Sequence, residues 1–110
     1  MDRLQAMQVF NAVVESGNFS KAARRLRMSN ASVSTLVQNL EAHLGVKLIT
    51  RTTRTMHPTD DGIAYYERSR RILADVEETE ACFQEAALRL KGRLRIDVPT
   101  CIGRLILRSE

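Results

Sequence analysis

The segment "FSKAARRLRMSNASVSTLVQNLEAHLG", Phe19 to Gly45, sets two apolar-periodic runs back to back with only Arg27-Met28-Ser29-Asn30 between them. A connection that short makes two helices pack on each other at once, and this limits the fold more than any other feature of the chain. The first run, about Ser20 to Leu26, has an apolar side of Ala22, Ala23 and Leu26, and its alanines let a neighbouring helix come close. Ser29 stands where an N-cap belongs, and Val33, Val37, Leu40 and Leu44 then form a stripe that Gly45 closes as a left-handed C-cap. Opposite that stripe lie Asn30, Ser32, Ser34, Thr35, Gln38 and Asn39. A solvated helix would carry Glu/Lys pairs there; a face of small hydroxyl and amide groups is suited to contact.

Around this pair the chain is simple to parse. "RLQAMQVFNAVVES" repeats Leu4, Met7, Phe10, Val13 and Val14 at helical steps, and "SGN" at 16 to 18 turns it into the next helix. "VKLITRTTRTMHPT" is rich in β-branched residues around a polar turn at Arg51 to Arg54, which predicts a small hairpin. Pro58 ends it, and Thr59 caps a new helix with Asp60 and Asp61 in its first turn. From Asp60 to about Leu90 nothing after Gly62 breaks the helix, giving roughly 45 Å at 1.5 Å per residue. Along it Tyr66, Leu73, Val76, Phe83, Ala87 and Leu90, interrupted by Ser69 and Glu80, alternate steps of three and four. That is the seam of a two-helix dimer, against the plainer alternative of a helix lying along its own domain. "KGRLRIDVP" then begins a strand with no partner in view, so the chain reads as the front piece of a longer protein. The expected regions are a head over 1–59, a dimerisation helix over 60–90, and a hinge with a first strand over 91–110.

Charge separates these regions. Residues 1–58 hold eight Lys/Arg against three Asp/Glu, whereas 59–90 hold four against eight. A basic head ahead of an acidic helix points to a polyanionic partner for the head, nucleic acid first. The 110 residues are 44% hydrophobic and 27% charged, the balance of a globular domain, with no apolar run long enough to span a bilayer and no secretory leader; a cytoplasmic location is expected. Cys82 and Cys101 have no framework spacing and are expected to be reduced thiols; with His43 and His57 they give no metal-ligand pattern, and no cofactor is expected. No nucleophile–base pair, paired carboxylates or phosphate-cradling glycine loop is visible, so catalysis is not expected.

Two tightly joined helices, the second exposing small polar groups, have the geometry that sets a recognition helix in the DNA major groove. Asn and Gln pair with adenine, Ser and Thr bond bases or phosphates, and apolar groups meet the thymine methyl. Asn30, Ser32, Ser34, Thr35 and Gln38 are the candidates. Lys47, Arg51, Thr52 and Arg54 on the hairpin, with Ser20, form the expected phosphate-facing set, and the hairpin makes this a winged helix-turn-helix of three helices and a β-hairpin in a mainly α chain.

"F.AVVESGNFSKAARRL", "VS..V..LE..LGVKL..RT.R" and "T..G..YY", in that order, closely resemble the N-terminal DNA-binding domain of the LysR-type bacterial transcriptional regulators, and the likeness runs on to "GRLRIDVP". The resemblance implies antiparallel pairing of the long helices and recognition of an interrupted palindrome by a homodimer, assembled into tetramers by a larger C-terminal domain that senses a small-molecule inducer. It places Asn30, Ala31, Ser34, Thr35 and Leu36 at DNA, Arg51 as the wing arginine and Thr100 at the inducer. Asn30, Thr35 and Leu36 stand where the family often has longer polar or basic residues. Readout leaning on thymine-methyl contacts, the wing and DNA shape is therefore expected. The competing reading is a coiled-coil interaction module whose basic head meets an acidic protein.

Overall fold

The computed structural model describes residues 1–52 and 55–92, with side chains as far as Leu88. The order is α1 (Arg3–Ser16), α2 (Phe19–Leu26), α3 (Asn30–Leu44), β1 (Ile49–Arg51), β2 (Met56–Pro58) and α4 (Asp60–Gly92). Each of the first three helices starts on a side-chain cap: Asp2 accepts from Gln5 N–H, Asn18 from Lys21 N–H, and Ser29 from Ser32 N–H. These bonds satisfy backbone donors that have no partner inside the helix. All three end on left-handed residues, Gly17, Arg27 and Gly45. Arg27, at φ 57°, is a non-glycine in that conformation, and it lets the three-residue link to α3 turn sharply. The chain divides into two compact units, Met1–Leu73 and Ala74–Glu110.

In the first unit, Phe10, Val13, Ala22, Ala23, Val33, Val37, Leu40, Leu48 and Ile49 form a shared core. Ala22 and Ala23 are 0% and 2% exposed, as their close-packing role requires. The first-helix stripe was only partly right. Leu4 is 42% exposed, while Ala6, Val9, Asn11 and Ala12 are buried. α1 is covered on two sides, and a single-stripe reading finds only one of them. Leu44, expected inside, is 40% exposed beside the C-cap. The hairpin pairs antiparallel as Ile49 with Pro58, Thr50 with His57 and Arg51 with Met56. Thr59 joins it to α4: its hydroxyl donates to Lys47 C=O at 2.6 Å and accepts from Gly62 N–H at 3.0 Å. A Cβ on Gly62 would collide with the Leu48 carbonyl oxygen, so that glycine lets α4 start hard against the hairpin. Further along, Tyr65 meets Phe10 edge to face at 5.5 Å. Ser69 is 1% exposed, and its hydroxyl donates to Asn11 Oδ1 at 2.9 Å.

Candidate nucleic-acid interface

One helical face of α3 is presented outward. Ala31, Thr35 and Gln38 lie directly opposite Val33, Val37 and Leu40, and all three are exposed, as are Asn30, Ser32 and Asn39. No glutamate or lysine lies among them, so the helix backbone can approach a partner with only short side chains between. Ser34 is half-buried. Leu36 sits at the edge of the apolar stripe and packs against the core while half-exposed. Its side chain is divided between core and surface, which reduces what it has to offer a thymine methyl.

Asn30 Nδ2 donates to Ser20 Oγ at 3.1 Å, tying the first turn of α3 to the first turn of α2. Ser29 and Ser32 bond to each other through their hydroxyls at 2.8 Å. Both expected contact residues near the helix start are thus held in place while remaining exposed, and each keeps unused donors or acceptors.

The hairpin is fixed to α3 at two points. The Glu41 carboxylate accepts from Leu48 N–H and Ile49 N–H at 2.7 and 3.2 Å, and Arg51 Nη2 donates to Ser34 Oγ at 2.7 Å. Arg51's guanidinium carbon also lies 3.8 Å from the centroid of the Phe19 ring. Arg51 and Ser34, expected separately as wing and helix contacts, are therefore one bonded unit with α2 as its base. Thr52 bonds to Thr55, N–H to carbonyl at 2.8 Å and hydroxyl to hydroxyl at 2.8 Å. Lys47 is exposed, and Arg54 lies outside the described residues. Sequence reasoning missed Phe19 and Glu41. Phe19 precedes the apolar spacing of its helix, and no periodicity reveals a carboxylate serving strand amides seven and eight residues on.

Away from this face, Arg25 is paired with Glu15 at 2.9 Å and is spoken for. Glu15 also accepts from the Tyr66 hydroxyl at 2.9 Å. Tyr66, expected on the dimer seam, packs against the core of its own unit while half-exposed, and Ser69 beside it is buried. The first three turns of α4 meet α1 through these residues, with Tyr66 bonded to Glu15 and Ser69 to Asn11. Beyond them Leu73 and Val76 are half-exposed, Phe83 is 55% exposed and Ala87 is exposed. Ile72 and Leu88, absent from the expected seam, add exposed apolar surface at 43% and 71%. The Leu90 side chain and Thr100 lie outside the described residues. Cys82 is buried, at 4% exposed, and Cys101 lies outside the described residues. Among the described residues no helix is long and apolar enough to cross a membrane.

Residues 4–63, from α1 through the hairpin to the first turn of α4, match the family model for bacterial regulatory helix-turn-helix proteins of the lysR family. The chain is 40% identical over 107 residues to the uncharacterized HTH-type transcriptional regulator YhjC of Escherichia coli K12, covering 97% of this chain and 36% of that protein. It is 41% identical, over 97% of its length and 34% of the relative's, to an HTH-type transcriptional repressor of Pseudomonas aeruginosa UCBPP-PA14. The chain thus spans about a third of the length of the curated relatives it matches. Among solved structures it is similar to the BenM DNA-binding domain in complex with catB site 1 DNA, at TM-score 0.75 and 32% identity over 77% of this chain and 94% of that one. It is similar also to the CbnR DNA-binding domain–DNA complex, at TM-score 0.72 and 36% identity over 77% and 98%. Sharing the helix-turn-helix, the wing and the start of α4 with these proteins, the chain belongs to the lysR family of bacterial regulatory helix-turn-helix proteins.

Proposed function

We propose that this chain is the DNA-binding part of a cytoplasmic transcriptional regulator that reads double-stranded DNA with α3 in the major groove and the hairpin on the flanking backbone. The observation that carries this reading is the outward face of Ala31, Thr35 and Gln38 set beside a guanidinium held at Ser34. BenM and CbnR, which share this architecture, were solved as complexes of their DNA-binding domains with DNA, and this supports the same use here. In the proposed assembly two copies pair through α4 beyond Ser69, with Leu73, Val76, Phe83 and Ala87 on the seam, and present two recognition helices to the halves of an interrupted palindrome. In the whole protein these dimers form tetramers, and a C-terminal domain, with Thr100 at its inducer site, adjusts the grip on DNA. The chain acts by binding and carries out no chemistry.

Selection of bound duplexes from a random pool at two salt concentrations tests this. An enriched interrupted palindrome is the expected result; salt-sensitive binding that enriches nothing would remove sequence reading from the proposal. A second measurement isolates the wing. Arg51→Ala is expected to weaken binding to all sequences and to flatten the dependence of log K on log salt by about one, the share of one neutralised phosphate.

A further inference from the structure

Arg51 is exposed at the surface, yet its guanidinium is fixed on two sides. One N–H goes to Ser34 Oγ at 2.7 Å, and one flat face lies over Phe19 at 3.8 Å. The three residues come from β1, α3 and α2. Arginine offers five N–H donors in a planar fork, so a bond to Ser34 through one of them leaves most of the fork for a partner. Stacking on an aromatic face restrains the plane of the fork without using any donor. The fork also borders a groove of about 470 Å³ between the α1–α2 turn and the hairpin, lined by Asn18, Thr52, Thr55 and His57. Small hydrogen-bonding groups thus surround the place to which the free donors have access.

We propose that Phe19 is a positioning residue for DNA binding: its ring holds the Arg51 guanidinium in the orientation in which it grips a backbone phosphate at the groove between the hairpin and the α1–α2 turn. This rests on the DNA-binding reading above. An unrestrained arginine on a three-residue strand samples many rotamers and must give them up on binding, whereas a stacked one has already given them up. Phe19 itself need not touch DNA. Ser34, which accepts from Arg51, keeps its own hydroxyl proton to donate, so the same platform also orients a recognition-helix donor.

Phe19 also packs against the core, so loss of binding alone would not separate positioning from folding. A double-mutant cycle with a mixed-sequence duplex as the probe does so. Phe19→Leu, which keeps apolar bulk and loses the π face, is expected to weaken binding about three- to tenfold, whereas Phe19→Tyr binds like wild type. In an Arg51→Ala background, Phe19→Leu is expected to cause no further loss, because the group it positions is gone. Thermal melts run alongside keep each variant at a temperature where it is folded. Equal losses from Phe19→Leu with and without Arg51 would overturn the inference and leave a packing role; wild-type affinity in Phe19→Leu would overturn it as well. Failure of the wild-type chain to bind any duplex would overturn the DNA-binding reading and this inference together, whereas the two preceding results leave that reading standing.

Discussion

Single atoms set several tolerances in this molecule. The Ser69 hydroxyl and the Asn11 amide satisfy each other where water is excluded. Ser69→Ala leaves a buried amide oxygen without its donor and is expected to cost about 1–3 kcal/mol in chemical denaturation, whereas Asn11→Leu combined with Ser69→Ala should recover part of that loss. Gly62→Ala forces α4 away from the Leu48 carbonyl and is expected to cost about 1–3 kcal/mol by the same measurement. Tyr66 gives a pH signature. Burial first, and then its hydrogen bond and proximity to the Glu15 carboxylate, raise its phenol above the ordinary value, against a smaller opposing effect of Arg70. The folded state therefore holds that proton more tightly than the unfolded chain does, so its contribution is complete below about pH 10 and is lost as pH rises through the folded value. Tyr66→Phe should reduce the slope of stability against pH in that alkaline range, measured by urea titration.

Helices with a cap at each end and one clean stripe were legible in the sequence, and α3 ran from Asn30 to Leu44 as Ser29 and Gly45 implied. The hairpin was legible too, because its β-branched arms and Pro58 leave little else to form. What periodicity could not show was any element covered on more than one side. α1 buries Ala6, Val9 and Ala12 as well as its expected stripe, and α4 spends Tyr66 and Ser69 on its own head. Leu44 failed for the converse reason: the stripe continued in sequence after the core had ended in space. Long-range side-chain bonds were likewise out of reach, since Glu41 with Ile49 and Arg51 with Phe19 follow no spacing rule. At this scale Glu41→Ala is expected to remove the acceptor of two strand amides. Hydrogen exchange should then show Leu48 and Ile49 losing protection while Val33 and Val37 keep theirs.

For the whole molecule, assembly is the property to measure. The apolar surface left on α4 after Ser69, Phe83 and Leu88 above all, is what a second copy would cover under the proposed pairing. Phe83→Glu is expected to shift the chain from dimer to monomer in sedimentation and to lower its affinity for a two-half-site duplex more than for a single half-site. Persistence of the dimer would place the interface elsewhere. The double attachment of the hairpin to α3, by Glu41 at one end and Arg51 at the other, bears on how such regulators can be recombined. This wing grafted alone onto another scaffold would leave behind the Glu41 carboxylate and Ser34 hydroxyl that seat it. The smallest exchangeable piece is residues 30–58 as a block, together with an aromatic residue at position 19, so that helix and wing are inherited as a single part.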